Sequence, residues 1–270
     1  MSNQHIADTR RMPVVFIGHG NPMNAIEDNR WSRAFQTLAL QLPRPKAYLC
    51  ISAHWYGRGT ALTGNEIPPT IHDFGGFPRE LFQVQYPAPG APELAEKIGK
   101  MLNRYEAKIT GNWGLDHGSW TLLRYLRPDA DVPTLQLSID QALSAKQYLE
   151  IGAAISELRN QGVLILGSGN ITHNLYDAGR HFGEIESSTP DWAADFDGSI
   201  ASALDQHDKG YLADITSATE FRQSHPTPDH YIPLLYAAGA ADSSDSVSYP
   251  ITGFDLGSLS MRAVVFDKPR

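Results

Sequence analysis

The sequence predicts an α/β fold in which one domain is built on a central mixed, largely parallel sheet flanked by helices. Short apolar segments alternate along the chain with segments of helical periodicity, an order typical of doubly wound and related sheets. Hydrophobic residues make up 41% of the 270 residues and charged residues 19%, which is enough apolar material for a packed core. No internal repeat or linker divides the chain, so we expect a single domain over residues 1–270.

The first half of the chain predicts three strands and three helices, together with one long loop. Trp31, Phe35 and Leu38 repeat with the spacing of a helix face that ends before Pro43. The segment 64–92 holds so many prolines and glycines that we predict a long ordered loop, and loops of that length are usually functional. The predicted strands are 14–17, 47–52 and 107–110, and the predicted helices are 31–42, 92–102 and 121–126.

The second half continues the alternation of strands and helices. Tyr148, Ile151 and Ile155 line one side of a predicted helix, and the strand that follows it leads into the loop SGNITHNL. The predicted strands are 133–138, 163–167, 247–251 and 260–266, and the predicted helices are 144–159, 192–204 and 229–240.

The composition excludes several classes of partner. A formal net charge of −8 argues against a nucleic-acid-binding surface, which needs lysine and arginine to replace the counterions of the phosphates. Cys50 is the only cysteine, which excludes a disulfide within the chain, and its apolar strand predicts a buried structural thiol. No segment approaches the ~18 consecutive apolar residues that cross a bilayer. We therefore expect a cytoplasmic protein with small-molecule partners and no membrane or nucleic-acid partner.

Two histidines follow predicted buried strands. The segment VVFIGHG leads to His19, and AYLCISAHW leads to His54. Because ligands of open α/β sheets bind at the carboxyl ends of the strands, two imidazoles at this edge indicate a metal centre. For either residue taken alone, an ordinary hydrogen-bonded structural histidine is the alternative.

Five of the ten histidines lie in motifs with glycine, Asp or Asn neighbours. Glycine lets the backbone approach a ligand closely, and Asp or Asn can orient an imidazole from behind. Clustered residues of this kind are typical of functional sites. The five are His19 in GHGNP, His54 in SAHW, His117 in DHGSW, His173 in GNITHN and His230 in HPTPDHY.

A longer series of motifs resembles one known family. In order, the chain carries GHGNPMNAIEDN, SAHW, PPTIHDFGGFP, YPAPGAP, WGLDHGSW, SGNITHNL, TPDHYIPLLYAAGA and GSLSMR. This series resembles the class III extradiol ring-cleavage dioxygenases, and within them the 4,5-DOPA dioxygenase branch. The resemblance covers about residues 12–265, which is nearly the whole chain.

The resemblance implies one catalytic domain with a single divalent metal, which binds a catechol such as DOPA together with O2 and yields a ring-opened semialdehyde. It implies that His19, His54 and His230 are metal ligands. His173 is either a further ligand or an acid/base residue, and His117 lines the substrate pocket as the other acid/base candidate. Fe(II) is expected for activity, because an ion that holds the catechol and oxygen together can pass electrons between them, and Zn(II) also suits the site.

One departure from common iron sites leaves alternatives open. Iron oxygenases commonly use two histidines and one carboxylate, and no acidic residue here has an obvious claim to the third place. Asp116 and Asp229, each next to a motif histidine, are interpreted as groups that orient the rings. A histidine-rich shell also suits zinc, so a zinc-dependent hydrolase that activates water is the second hypothesis and a metal-dependent binding module is the third.

Aromatic side chains near these motifs have two interpretations. Phe74 and Phe77 of TIHDFGGFP either form a lid or wall against an aromatic substrate, or pin a long loop to the core. Core or rim packing is the favoured interpretation for most of Trp55, Trp113 and Trp120.

Overall fold

A central eight-stranded sheet organises the computed structural model, which describes residues 11–181 and 187–269. In these residues the strands are β1 (Val14–Gly18), β2 (Ala47–Gly57), β3 (Ala61–Thr63), β4 (Lys108–Thr110), β5 (Thr134–Asp140), β6 (Val163–Gly169), β7 (Ser246–Ile251), β8 (Phe254–Asp255), β9 (Leu259–Ser260) and β10 (Ala263–Asp267). The central sheet has the order β4, β3, β5, β2, β6, β1, β10 and β7, and β8 pairs separately with β9. Of the predicted domain 1–270, residues 1–10, 182–186 and 270 lie outside the described residues.

The inner strands β5, β2, β6 and β1 run parallel to one another. Strand β3 is parallel to β4 but antiparallel to β5, and β10 runs antiparallel to both β1 and β7. Parallel strands covered on both faces are near-continuous apolar runs, as in the VVFI segment of β1. The predicted α/β fold with a mixed, largely parallel sheet flanked by helices is confirmed.

Helices cover both faces of the sheet and bury two apolar clusters. They are α1 (Arg30–Gln41), α2 (Arg79–Phe82), α3 (Pro92–Met101), α4 (His117–Leu126), α5 (Ala145–Ile155), α6 (Leu175–Ala178), α7 (Asp191–Asp205), α8 (Lys209–Asp214), α9 (Thr219–Ser224) and α10 (Ile232–Ala240). Successive side chains of a strand point to opposite faces, so Leu49 and Ile51 of β2 pack with α5 and α10, while Tyr48 and Cys50 pack with α1 and α4.

Strand β2 is longer than predicted, which changes the setting of His54. The predicted strand 47–52 continues to Gly57, and its pairing with β5 is irregular between Ile51 and Tyr56. Irregular pairing of this kind redirects side chains beside active sites. His54 therefore lies inside the irregular part of the strand, and the expectation that the strand ends at this histidine is wrong.

Two helices begin three or four residues away from the predicted start. The helix predicted over 121–126 begins at His117, because the Asp116 side chain accepts a hydrogen bond from the backbone N–H of Ser119 and caps it. The helix predicted over 229–240 begins at Ile232, after a single 3-10 turn. Helices α2, α6, α8 and α9 were not predicted, because elements of four to six residues are too short to show a periodic pattern.

Cys50 is a buried structural residue of β2. Burial raises the pKa of its thiol, which disfavours the reactive thiolate. Within residues 11–181 and 187–269, no helix is both long enough and apolar enough to span a membrane.

Candidate active site

The fold brings all five motif histidines to one cavity of about 320 Å³. His19 directly follows β1, His54 lies in β2, and His117 is the first residue of α4. His173 follows β6, and His230 precedes α10. Because β1, β6 and β2 are neighbouring parallel strands, their carboxyl ends meet at one edge of the sheet. The rest of the lining consists of Gly20, Asn21, Pro22, Phe77, Leu175, Leu256 and Leu259.

Ser168 fixes the proton position on His19. The Ser168 hydroxyl donates to the Gly118 carbonyl at 2.6 Å, and its oxygen lies 2.9 Å from Nδ1 of His19. A carbonyl can only accept, so the serine proton is used there and the proton of the second contact lies on Nδ1 of His19. Nε2 of His19 is then unprotonated and carries a free lone pair, and this atom lies 3.1 Å from Nε2 of His54.

One carboxylate, that of Asp73, contacts two of the histidines. Its Oδ2 lies 2.9 Å from Nδ1 of His117 and 3.2 Å from Nδ1 of His54, and its Oδ1 accepts from the backbone N–H of His117 at 2.9 Å. Burial raises the pKa of Asp73, but the hydrogen bond from His117 and the nearby imidazoles outweigh burial and hold the pKa at about 2. The ionised carboxylate favours a proton on Nδ1 of both rings and leaves both Nε2 atoms unprotonated.

His230 and His173 form a stacked pair in the same cavity. Their ring centroids are 3.4 Å apart and their planes differ by 3°. Asp229 accepts from Nδ1 of His230, which leaves Nε2 of that ring unprotonated. The His230 ring centroid lies 5.2 Å from that of His19 and 5.1 Å from that of His54. The three histidines that the resemblance assigns to the metal therefore lie together.

Burial favours the neutral form of four of these imidazoles. It lowers the pKa of His54 and of His173 to about 3. Burial also lowers the pKa of His19 and of His230, and the neighbouring imidazoles lower it further because like charges repel. Neutral imidazole is the form that binds metals, so at neutral pH these rings present lone pairs.

Gly118 and Gly169 allow the histidine-bearing segments to approach one another. A Cβ atom at position 118 would lie 2.5 Å from Oγ of Ser52 and 2.9 Å from Cδ2 of His54. A Cβ atom at position 169 would lie 2.1 Å from the backbone oxygen of His230. Since all three separations are shorter than van der Waals contact, only glycine fits at these positions without movement of the site.

This donor set fits a divalent metal ion. Ligand nitrogens of His19, His54 and His117 lie within 4.8 Å of one another. The lone pairs on Nε2 of His19 and of His54 face each other at 3.1 Å, an arrangement that is repulsive on its own and that a cation stabilises. Zinc–nitrogen bonds of ~2.0–2.1 Å place two ligands of one ion at about this separation. The cluster is therefore a candidate site for one metal ion.

Comparisons with known proteins identify the family. Residues 14–257 match the family described as "Catalytic LigB subunit of aromatic ring-opening dioxygenase". The chain belongs to this LigB family. A protein of Escherichia coli strain K12 named 4,5-DOPA dioxygenase extradiol is 43% identical over 266 residues, which cover 96% of each chain. A protein of the same name from Beta vulgaris is 35% identical over 263 residues, which cover 94% of this chain and 96% of that protein.

A solved structure has the same overall fold as this LigB-family chain. The crystal structure of uncharacterized protein JW3007 from Escherichia coli K12 has a TM-score of 0.82 to this chain at 37% sequence identity. The match covers 94% of this chain and 99% of that chain. The match to the LigB family and the relatives named 4,5-DOPA dioxygenase extradiol confirm the predicted resemblance to the class III extradiol dioxygenases.

Two side chains that orient histidines in this LigB-family chain were not predicted from the sequence. Asp73 orients His117 from 44 residues away, and Ser168 orients His19 from 149 residues away. The position of Asp73 in a motif with aromatic residues and glycines, TIHDFGGFP, is the one signal that could have indicated its role.

The two acids that the sequence did single out behave differently. Asp229 contacts Nδ1 of His230, in agreement with the prediction that it orients this ring. Asp116 instead caps α4 and accepts from Nε2 of Gln136 at 2.7 Å, so the prediction that it orients His117 is wrong. The side chain of an N-cap residue bonds the backbone of the helix that follows, and Asp73 occupies the position beside the ring.

The aromatic residues separate into a cavity wall and core packing. Phe77 lines the cavity, and the ring of Phe74 stands edge-on to that of His117 with centroids 5.4 Å apart. Trp55 stacks on Trp113 with centroids 5.4 Å apart, and Trp120 is fully buried. The loop 64–92 therefore supplies part of the cavity wall, whereas these tryptophans pack on one another or in the core.

Proposed function

We propose that this chain is a non-haem, metal-dependent extradiol dioxygenase, which opens the ring of a catechol beside its two hydroxyls with O2 and releases a semialdehyde. The observation that carries the proposal is the convergence of five histidines on one cavity in a chain of the LigB family. The relatives named 4,5-DOPA dioxygenase extradiol support a catechol such as DOPA as substrate. In the balanced reaction both atoms of O2 enter the product while one carbon–carbon bond of the ring breaks.

We infer that His19, His54 and His230 hold the metal. Each has an oxygen acceptor next to Nδ1, which leaves Nε2 free. His173 is not proposed as a ligand. Its ring is parallel to that of His230, with centroids 3.4 Å apart, so one ion cannot lie in the planes of both rings. Of the two, His230 is the proposed ligand. Fe(II) is the ion proposed for activity, and Zn(II) suits the same imidazoles. When bound, Fe(II) holds the catechol and O2 together and passes electron density from the ring to oxygen.

His117 is the proposed acceptor of the catechol proton. One of its ring nitrogens lies within 4.8 Å of ring nitrogens of His19 and His54, so this ring lies beside the proposed metal ligands. Nδ1 of His117 lies 2.9 Å from Asp73, which leaves Nε2 able to take a proton from a hydroxyl. The ionised Asp73 then stabilises the imidazolium that forms. His173 is the second acid/base candidate, because its ring lies in the same cavity and stacks on that of His230.

Oxygen consumption by the iron-loaded protein tests this function. Protein loaded with Fe(II) without air and then mixed with DOPA or another catechol in air is expected to take up O2 and form a yellow ring-opened product. A zinc-dependent hydrolase, which would use the same histidines to activate water, would neither consume O2 nor form this product. Failure across a panel of catechols would overturn the proposal.

Two alanine variants separate the proposed ligand from the proposed base. His230→Ala is expected to lose the metal, whereas His117→Ala is expected to keep the metal and lose turnover. His207→Asn is the control, because His207 lies outside the cavity lining and its φ of 51° is one that asparagine tolerates. The reverse pattern would make His117 the third ligand.

The cytoplasmic location expected from the sequence stays a prediction.

A further inference from the structure

The cavity changes character between its buried and exposed ends. His19, His117 and His230 are almost completely buried, whereas Leu175, which lines the same cavity, is 59% exposed. The other non-histidine side chains of the lining are largely apolar. We call the set Pro22, Phe77, Leu175, Leu256 and Leu259 the apolar rim. A leucine exposed to this extent at the mouth of a cavity is an apolar surface that a ligand can cover.

No charged partner for a substrate lies among the rim residues that the structure describes. Among the described residues that line the cavity, none is lysine or arginine, and the ionisable groups are the five histidines alone. Four of these, all except His173, have Nδ1 next to an oxygen of Ser168, Asp73 or Asp229. The Asn21 side chain is the polar, uncharged exception, and its oxygen already accepts from the backbone N–H of Met23. A carboxylate placed at the rim would lose water without gaining an ion pair.

From this contrast we infer that the preferred substrate is a catechol whose ring carries an uncharged, apolar substituent, which covers the apolar rim while the two hydroxyls lie among the histidines. The inference rests on the proposed function and names the substrate class of that site. It predicts that each added methylene of the substituent improves kcat/KM by about fourfold until the rim is covered.

A matched pair of catechols tests the inference. 4-Propylcatechol and 3-(3,4-dihydroxyphenyl)propionate differ chiefly in a terminal methyl against a carboxylate. With the iron-loaded protein, the propyl compound is expected to exceed the propionate in kcat/KM by about tenfold or more. Calorimetric titration of the zinc-loaded protein, which binds without turnover, is expected to give the same order of affinity.

Two arginine variants test whether the rim sets this preference. Leu175→Arg places a cation at the rim and is expected to raise affinity for the propionate and lower affinity for the propyl compound. Tyr176→Arg adds the same charge at the next residue, which is 82% exposed and outside the cavity lining, and is expected to change neither affinity.

The outcomes are distinct. Equal or better binding of the propionate by the unchanged protein, or an identical effect of both arginines, would overturn the inference while leaving catechol cleavage intact. Absence of binding and turnover for every catechol would overturn the proposed function itself.

Discussion

Replacement of Asp73 by asparagine tests whether one carboxylate positions two histidines of the site. Asp73→Asn keeps the shape of the side chain but offers one acceptor oxygen where the carboxylate offers two. Two of the three contacts go to ring nitrogens, of His117 at 2.9 Å and of His54 at 3.2 Å. If the amide oxygen keeps the backbone N–H of His117, the amide NH2 faces both protonated Nδ1 atoms. The rings must then turn or move their protons to Nε2.

The expected magnitude follows from the loss of charge. A hydrogen bond to a charged group contributes about 1.5–3 kcal/mol, and one between neutral groups about 0.5–1.5 kcal/mol. The difference of about 1–2 kcal/mol is a factor of about 5 to 30. This overlaps the lower part of the ~10- to 100-fold loss of metal affinity or activity that is typical when a group behind a metal ligand is removed. We expect Asp73→Asn to weaken Zn(II) binding and to lower kcat by factors in this range.

The assay measures Zn(II) affinity by competition with a chelator, and kcat for a catechol after Fe(II) loading. Asp28→Asn is the control, because Asp28 pairs with Arg33 at an exposed position. Circular dichroism of the metal-free proteins checks that the fold is retained. Zn(II) affinity and kcat within about twofold of the unchanged protein would refute the argument that Asp73 holds the two rings.

Three further predictions concern the ligands, the packing and the core. His19→Ala and His54→Ala should each abolish metal retention and turnover, measured by metal analysis and oxygen uptake. Gly118→Ala should weaken metal binding by displacing His54, whose ring carbon would lie 2.9 Å from the new Cβ. Arg159→Met should lower the free energy of unfolding by about 3–5 kcal/mol, because Arg159 forms a fully buried ion pair with Asp245. Burial raises the pKa of Asp245, but the hydrogen bonds from Arg159 and from the backbone of Asp242, together with the Arg159 charge, outweigh burial and hold the pKa below its usual range. The pair therefore stabilises the fold above about pH 4 and loses this effect as pH falls further.

Each of these predictions has a result that contradicts it. Metal retained by either histidine variant would remove that residue from the ligand set. Unchanged metal affinity in Gly118→Ala would show that the site relaxes around a methyl group. For Arg159→Met, denaturant titrations that give equal stabilities for variant and unchanged protein at pH 7, or the same stability difference at pH 7 and about pH 3, would contradict the assigned role of the ion pair.

The inner strands could be predicted because their signal is local. A strand buried on both faces is an uninterrupted apolar run, as in Val14–Gly18 and Val163–Gly169, and such runs stand out in a sequence. The late end of β2 could not be predicted, because the residues after Ser52 pair irregularly with β5. Pairing between distant strands is a tertiary feature that no local pattern carries.

The histidines of the site could be predicted, whereas most of the groups behind them could not. His19 and His230 lie in motifs dense in glycine, proline or acidic residues, which mark them as unusual in the chain. Asp73 and Ser168 contact their rings across long stretches of sequence. The motif TIHDFGGFP is the only local signal for Asp73, and a serine in a strand carries no signal of such a contact. Asp116 shows the converse error, since nearness in sequence to His117 did not bring its carboxylate to the ring.

The origin of the oxygen atoms in the product tests the central claim most directly. A catechol is opened by the Fe(II)-loaded protein under ¹⁸O2, and the product is analysed by mass spectrometry at once, before its aldehyde exchanges with water. The proposed reaction predicts one labelled oxygen in the new carboxylate and one in the aldehyde. A product whose new oxygen carries label only when the water is ¹⁸O-enriched would contradict ring opening by dioxygen at this histidine cluster.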